Sequence, residues 1–215
     1  MNFREEFRAL KADVEAQTPK ELQEKIDQLV VDLKAGNTSR KSVGDIAPDF
    51  RLKDPRGKYV SLKTALQDGP VVLNFYRGGW CPFCNLELNT LQRTLPKFKD
   101  AGAQLIAISP ESPDNSLSTI EKHKLAFSVL SDINSTVARQ YGIIYQVPSY
   151  LVPVYEKFGV DIKRHNASDA LELPLPATYV VDTDQKIIYA FANEDYTVRA
   201  DIQEILQVLN GRLKR

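Results

Sequence analysis

The 215-residue sequence lacks an excess of charge of either sign, because its 28 lysine and arginine residues balance 28 aspartate and glutamate residues. A chain without net charge has no general electrostatic attraction for nucleic acid or for an anionic membrane surface. We therefore expect neither nucleic acid nor a membrane as a partner, and any ligand has to be inferred from a specific site.

Long apolar runs are missing as well. The opening segment, MNFREEFRALKADVEAQ, carries charges throughout, and no stretch of the chain approaches the roughly 20 apolar residues that a membrane-spanning helix needs. The opening also lacks the apolar segment of a signal peptide. These features predict a soluble, cytoplasmic protein.

Cysteine and histidine are scarce, with two residues of each type. Cys81 and Cys84 are too close in sequence to link distant parts of the chain, which excludes the disulfide framework of a small secreted protein. His123 and His165 do not have the spacing of zinc ligands, so we expect no metal and place both histidines at the surface. Because the sequence contains neither a phosphate loop nor a dinucleotide fingerprint, we expect no cofactor.

The two cysteines lie between a predicted strand and a predicted helix. Residues 71–76, VVLNFY, are mostly β-branched, apolar or aromatic, which predicts a buried strand, and Gly78 and Gly79 end it. Pro82 suits the first position of a helix, where its missing N–H would have had no partner. The segment is therefore predicted to run strand, turn, CxxC and helix.

This placement favours sulfur redox chemistry. With Cys81 at the N-cap and Cys84 at the third helical position, the free amides of the first turn and the helix dipole favour thiolate over thiol. The pKa of a CxxC cysteine at a helix start falls to roughly 3.5 to 7.5, from about 8.5 for a free cysteine. Arg77, shortly before the pair, adds positive charge or has a purely structural role.

Other residues near this segment are candidates for supporting roles. Trp80, next to Cys81, shapes access to the cysteine or covers the core. Glu87 lies at the helix surface or supports the cysteines from the layer behind them. The proline and tyrosine residues in 145–155 serve packing or form a loop that faces the substrate.

The N-terminal segment predicts two amphipathic helices, with one apolar stripe from Phe3 to Val14 and another from Leu22 to Leu33. Each stripe covers about two heptads, fewer than the three to four that indicate a coiled coil. We expect a helical extension at 1–41, ending in a polar linker, and one domain at 42–215. The helices pack on that domain or on a second subunit, which would give a homodimer.

The rest of the chain alternates strands and helices. After the cysteine helix, residues 103–109 and 127–132 are predicted strands on either side of another helix, and strands connected in this way pair in parallel. Residues 143–176 are expected to be irregular. A hairpin at 177–192 and a last helix at 201–213 follow. We predict an α/β domain with a mixed central sheet flanked by helices.

The segment GGWCPFC, between a strand and a helix, resembles the active-site unit of the thioredoxin fold. The wider order of motifs resembles the peroxiredoxin family, the alkyl hydroperoxide reductase and thiol-specific antioxidant group. The similar motifs are GDIAPDFRL, the FY before the cysteines, LIAISPES, FSVLSDINSTVARQYGI and PATYVVDTDQKI. The resemblance implies a thioredoxin-like fold and a thiol-dependent peroxidase for hydrogen peroxide or organic hydroperoxides.

The site differs from the family pattern. In the family, the attacking cysteine is the last residue of the pattern Pro-x-x-x-Thr/Ser-x-x-Cys and is followed three residues later by a glutamate. When Cys84 is aligned with that cysteine, Glu87 matches the glutamate. Arg77 then stands at the position of the proline, and Cys81 stands at the position of the threonine. The family's arginine before the late hairpin falls on Pro176. Peroxidase chemistry then requires Arg77 to replace the residues that polarise the peroxide.

Pro176 instead resembles the cis-proline that faces the CxxC of thioredoxins. We therefore predict a cis peptide bond between Leu175 and Pro176, beside the cysteines. The sequence CPFC is also close to the CPYC of glutaredoxins.

The two resemblances nominate different cysteines for the attack. The peroxiredoxin register nominates Cys84, whereas thioredoxin chemistry nominates Cys81. We expect Cys81 to be the more exposed sulfur and to accept hydrogen bonds from first-turn amides. We therefore assign Cys81 as the nucleophile and Cys84 as the resolving cysteine.

Three functions are consistent with the sequence. The first is a peroxidase whose disulfide is reduced by thioredoxin or another dithiol. The second is a thioredoxin-like reductase of protein or glutathione disulfides. The third is an inactive thioredoxin-fold domain that recruits a partner through its N-terminal helices.

Overall fold

The computed structural model of the protein describes residues 3–36 and 39–212. Residues 37 and 38 of the predicted linker and Leu213 of the predicted last helix lie outside the described residues. No helix within the described ranges combines the length and the apolar character that crossing a membrane requires.

Two helices precede an alternation of strands and helices. The helices are α1 (Phe3–Gln17), α2 (Lys20–Ala35), α3 (Leu62–Ala65), α4 (Pro82–Asp100), α5 (Pro113–His123), α6 (Thr136–Gln140), α7 (Val152–Lys157), α8 (Ile162–Asn166) and α9 (Ile202–Arg212). The strands are β1 (Arg51–Lys53), β2 (Tyr59–Ser61), β3 (Val71–Phe75), β4 (Gln104–Ser109), β5 (Ser128–Ser131), β6 (Ile144–Gln146), β7 (Glu172–Pro174), β8 (Ala177–Val181) and β9 (Ile187–Ala192).

Within the described residues, seven strands form one mixed sheet in the order β2-β1-β5-β4-β3-β8-β9. Strand β4 runs parallel to both β3 and β5, whereas β8 runs antiparallel to β3 and β9. The predicted α/β class with a mixed sheet is confirmed. Every residue of β3 is buried, because Leu73 and Phe75 enter one apolar cluster and Val72 enters a second that includes residues of α4 and α9.

Helix α4 begins where the sequence predicts. Cys81 is its N-cap residue, with extended backbone angles, and Pro82 is its first residue. The fixed φ angle of proline favours this position, and the missing N–H costs no helical hydrogen bond there. Cys84 is therefore the third residue of the first turn. The fully buried strand β3 and the first turn of α4 hold the two sulfurs near the C-terminal end of β3.

The prediction that residues 143–176 are irregular is wrong. The segment contains α7, α8 and a two-stranded antiparallel sheet in which Ile144 of β6 pairs with Pro174 of β7. These strands have three residues each, too few for an alternating pattern to distinguish them from loop. The segment thus has regular structure that a periodicity argument does not detect.

The N-terminal helices pack on the domain within the same chain. Phe7 of α1 belongs to the apolar cluster that includes Cys81, Phe83 and Cys84, and its ring lies 6.4 Å from that of Phe83. Leu29 of α2 is 2% exposed and belongs to the main core cluster. The buried faces of both helices match the two apolar stripes in the sequence, and they place the helices beside the cysteines.

Ion pairs at the rim of α1 add to this packing. Arg4 lies 2.5 Å from Asp201, Lys11 lies 3.1 Å from Asp195, and Glu6 pairs with Arg93 of α4 at 2.5 Å. Each pair has a member exposed by more than a third, so each contributes at most about 1 kcal/mol and the apolar contacts dominate the docking.

We expect Leu29→Ala to lower the free energy of unfolding by about 2–5 kcal/mol, because it leaves a cavity between α2 and the core. The measurement is equilibrium unfolding in urea. Val31→Ala, on the same helix but 59% exposed, is the matched control and should change stability by less than about 0.5 kcal/mol. Equal stabilities of the two variants would show that α2 is not held by this packing.

Candidate active site

The loop between β3 and α4 is tied to the neighbouring strand. The backbone N–H of Tyr76 donates to the Ile108 carbonyl at 3.0 Å, and that of Gly79 donates to the buried carboxylate of Glu111 at 2.8 Å. A Cβ atom at Gly79 would lie 2.2 Å from the hydroxyl oxygen of Thr119 on α5. Glycine is therefore required at position 79, and the loop is held where it presents Cys81 to the first turn of α4.

Both cysteines are reduced and buried, with 1% of Cys81 and none of Cys84 exposed. The sequence predicts Cys81 as the more exposed sulfur, and the difference is only one percentage point, because residues of the N-terminal helices and an aromatic group cover it as well. Cys81 also forms no regular capping hydrogen bond in the described helix. A ligand has to reach its sulfur through a pocket rather than from an open surface.

The charge of Cys81 depends on its neighbours. Burial opposes ionisation, but the Cys84 thiol donates a hydrogen bond to the sulfur, and Arg77 and Arg199 lie close enough to stabilise negative charge. Together with a smaller effect of the Cys84 amide, these contacts lower the pKa of Cys81 to about 6. Cys81 is thus the thiolate of the pair near neutral pH.

Cys84 responds in the opposite direction. Burial raises the pKa of its thiol, and the hydrogen bond to Cys81 and the negative charge there raise it further. Cys84 therefore keeps its proton while Cys81 is ionised. This asymmetry favours Cys81 over Cys84 as the attacking sulfur.

Arg77 lies in an aromatic cage formed by Trp80, Tyr155 and Tyr196. The carbon at the centre of its guanidinium group is 4.9, 5.6 and 4.4 Å from the three ring centroids, and one of its terminal nitrogens donates to the Tyr155 hydroxyl. Only 2% of the residue is exposed, and its Nε has no hydrogen-bond partner. Within the described residues no carboxylate forms an ion pair with it. Its compensating charge is the Cys81 thiolate.

Arg199 is a second buried cation at the site, and the sequence did not indicate it. Its Nε lies 2.6 Å from Glu87, and one terminal nitrogen lies 3.5 Å from the sulfur of Cys84. It follows the late hairpin, 115 residues after Cys84, and no motif or spacing marks it. The fold alone brings it to the cysteines.

Glu87 is buried behind the cysteines and does not lie at the helix surface. Burial raises the pKa of its carboxyl to about 7, although the nearby Arg199 opposes this rise. Of the two sequence interpretations, the supporting position is the one that the structure shows. Glu87 sets the position and charge balance of Arg199 rather than contacting Cys81.

Pro176 is buried directly before β8, next to the pairing of Ala177 with Phe75 at the end of β3. The predicted cis bond before it is wrong, because no peptide bond in residues 3–36 and 39–212 is cis. The N–H of Leu175 donates to the Ile143 carbonyl at 2.8 Å, so the preceding residue continues the pairing of β6 and β7. This extended path accommodates the intrinsically preferred trans form. The thioredoxin-like feature expected at Pro176 is therefore absent.

Trp80 connects the aromatic cage to a second polar group. Its ring packs edge to face on Tyr155 at 5.8 Å and lies 6.4 Å from the ring of His165. His165 is only partly exposed, and its Nδ1 lies 3.4 Å from Glu111. Trp80 therefore covers Arg77 and borders the approach to Cys81.

Two residues that complete the site come from the chain beyond the CxxC segment. Tyr155 belongs to the proline and tyrosine cluster, for which the sequence left packing and a substrate-facing role open, whereas nothing in the sequence singled out Tyr196. No group of three or more histidine, cysteine or acidic side chains within the described ranges is arranged to hold a metal ion.

Comparison with protein families identifies one match over most of the chain. The model of the AhpC/TSA family matches residues 43–190. Peroxiredoxin Q, chloroplastic, of Gentiana triflora is 35% identical over 173 residues, which are 80% of this chain and 69% of the relative. The thiol-disulfide oxidoreductase ResA of Bacillus thuringiensis subsp. konkukian is 30% identical over 134 residues, 62% of this chain and 76% of the relative.

Among solved structures, the chain is similar to the peroxidoxin BcpB from Mycobacterium tuberculosis. The TM-score is 0.63 at 24% identity, and the match covers 80% of this chain and 98% of that one. At this identity the similarity concerns the fold, and the thioredoxin-like fold of a peroxiredoxin is confirmed.

Removing the charge of Arg77 should raise the pKa of Cys81. We expect the rate of alkylation of reduced protein by iodoacetamide, with the modified cysteine identified by mass spectrometry, to rise with pH with a midpoint at about 6. In Arg77→Met the midpoint should move up toward about 8.5, because the thiolate loses one of the two buried cations that stabilise it. Arg56→Met removes an exposed arginine and should leave the midpoint unchanged. Identical profiles for Arg77→Met and the native protein would assign Arg77 to structure alone.

Removing Arg199 should destabilise the fold more than removing it together with its partner. Arg199→Met leaves the Glu87 carboxyl buried without its cation, so that it either stays as an unpaired charge or has to take up a proton, and breaking a buried pair costs about 3–5 kcal/mol. Adding Glu87→Gln removes the orphaned charge and should recover most of this stability in urea unfolding. A double variant as unstable as the sum of the two single variants would contradict a coupled pair.

Proposed function

Because the chain belongs to the AhpC/TSA family, we propose that it is a thiol-dependent peroxidase that works through Cys81 and Cys84. The observation that carries the proposal is the geometry of the pair. Both cysteines are buried in the first turn of α4, and Cys81 lines one pocket together with Arg77, which forms no ion pair with a carboxylate in the described residues. Thiolate is the form of cysteine that attacks peroxides.

In the first step the Cys81 thiolate attacks the terminal oxygen of the peroxide. The sulfur–oxygen bond forms while the oxygen–oxygen bond breaks, and the departing oxygen takes a proton from solvent and leaves as water or an alcohol. Arg77 attracts the electrons of the breaking bond, since its guanidinium stays charged and faces the same pocket as Cys81. Cys81 becomes a sulfenic acid, oxidised by two electrons.

In the second step Cys84 resolves the sulfenic acid. Its sulfur attacks the Cys81 sulfur, a disulfide forms, the sulfur–oxygen bond breaks, and the hydroxyl leaves as water with the thiol proton of Cys84. Because the two cysteines share one helical turn, the disulfide closes locally. An external dithiol such as thioredoxin then returns two electrons by thiol–disulfide exchange.

A disulfide reductase is the second candidate function. It is favoured by the CxxC at the N-terminus of α4 and by the similarity to ResA, which is named a thiol-disulfide oxidoreductase. In that case the Cys81 thiolate attacks a disulfide sulfur of the substrate, and Cys84 releases the mixed disulfide. An inactive binding domain is the third outcome that an experiment has to consider.

Second-order rates of the reduced protein with hydrogen peroxide, an organic hydroperoxide and a model disulfide separate these functions. Fast peroxide consumption with formation of one intramolecular disulfide supports the peroxidase. Fast exchange with the disulfide alone selects the reductase. Inertness toward all three would leave only a binding role.

Single cysteine variants distinguish the two assignments of the attacking sulfur. We expect Cys81→Ser to lose nearly all reaction with peroxide, because the remaining thiol is protonated and buried. Cys84→Ser should react at a similar rate to the native protein and stop at the sulfenic acid, or oxidise further. Mass spectrometry detects these products. Retained reactivity in Cys81→Ser together with its loss in Cys84→Ser would establish Cys84 as the nucleophile.

The location and assembly of the protein are further parts of the proposal. The sequence favours the cytoplasm, whereas several plant relatives are named chloroplastic, and cell fractionation distinguishes these compartments.

A homodimer through the N-terminal helices would have to use surface other than the two buried stripes. Sedimentation of the full chain measures the oligomeric state.

A further inference from the structure

An apolar pocket with a volume of about 140 Å³ lies against Cys81. Its lining includes the reacting group, with Arg77, Trp80 and Cys81. Residues of the N-terminal helices, including Val14 of α1 and Ile26 of α2, line the same pocket. Since Cys81 is 1% exposed, this pocket is the space in which a substrate meets its sulfur.

The wall formed by the N-terminal helices is outside the family match. Val14 and Ile26 precede residue 43, where the match begins, and Tyr196 at the pocket follows residue 190, where it ends. The helices are nevertheless part of the folded domain, because Phe7 and Leu29 are buried in its apolar clusters. The shape of the pocket is therefore a property of this chain and is not contained in the family domain.

The pocket has one polar group in a mainly apolar lining. The polar group is Arg77 with Cys81, and the Nε of Arg77 is buried without a hydrogen-bond partner. The remaining lining is mainly aliphatic and aromatic, and the pocket includes side chains such as Val154 and Phe158 of the segment around α7. A ligand with an oxygen-rich end and an apolar body matches this arrangement.

The volume limits the size of that body. An apolar cavity of about 150 Å³ in another protein binds benzene, whereas drug-sized ligands occupy pockets of about 300–1,000 Å³. The pocket at Cys81 is thus suited to a single ring or a short branched alkyl group.

We propose that Val14 and Ile26 of the N-terminal helices are specificity determinants that hold the organic group of a small alkyl or aryl hydroperoxide against Cys81. This inference rests on the proposed peroxidase function and adds the part of the chain that selects the substrate. The peroxide group lies between Arg77 and the thiolate, and the organic group lies between the helices and Trp80. The reaction is the one given above, with an alcohol as the leaving product.

The test compares cumene hydroperoxide with hydrogen peroxide in the full-length chain. Ile26→Phe enlarges an apolar side chain that lines the pocket and leaves both cysteines and Arg77 in place. We expect kcat/KM for cumene hydroperoxide to fall by about tenfold or more, in the range that pocket contacts supply, and the rate with hydrogen peroxide, which has no organic group, to fall much less. Val31→Phe, on the exposed side of the same helix, should change neither rate.

Hydrogen peroxide also reports whether each variant is folded and competent. Should Ile26→Phe fail to fold, Val14→Phe fills the pocket from the other helix and is expected to give the same selective loss. Equal changes with both peroxides, or no change with either, would overturn the role of the helices while leaving the peroxidase function in place. Failure of the native protein to reduce either peroxide would instead overturn the proposed function itself.

Discussion

The electrostatic interaction between the buried guanidinium of Arg77 and the Cys81 sulfur is the constraint on which the site depends. A buried cation without a counter-charge is costly, and in the described residues Arg77 is surrounded by the rings of its aromatic cage instead of carboxylates. The thiolate provides the missing negative charge, so burial of Arg77 and ionisation of Cys81 support each other. Oxidation to a disulfide removes that negative charge and leaves Arg77 without it. The interaction between Arg77 and the thiolate therefore stabilises the reduced form relative to the oxidised form.

Arg199 differs from Arg77 because it has a carboxylate partner. Its Nε lies 2.6 Å from Glu87, and Arg199 reaches Cys84 without lining the pocket at Cys81. The two arginines therefore act on the two sulfurs differently. Arg77 stabilises negative charge on the Cys81 sulfur at the pocket. Cys84 keeps its proton because its sulfur is fully buried. This division gives two adjacent cysteines distinct roles within one helical turn.

The strand, loop and helix around the cysteines could be predicted because their signals are local. The apolar run at 71–76 and the proline at position 82 act on their own backbone, and the structure has β3, the N-cap cysteine and α4 at those positions. The short strands β6 and β7 could not be predicted, since three residues carry no measurable period. The trans bond before Pro176 is the intrinsically preferred form, and the pairing of Leu175 with Ile143, which accommodates it, joins residues far apart in the sequence.

By itself, the sequence determined the α/β architecture, the order of the motifs, the two amphipathic N-terminal helices and a CxxC pair at a helix start. Only the tertiary structure decided which cations surround the two sulfurs, how deeply both are buried and what shapes the pocket beside them. The reason is that propensity and capping act over a few residues, whereas pKa and access depend on groups that are close in space. Arg199 lies 115 residues from Cys84 and still contacts it, and part of the lining of the pocket at Cys81 comes from α1 and α2, far before Cys81 in the sequence.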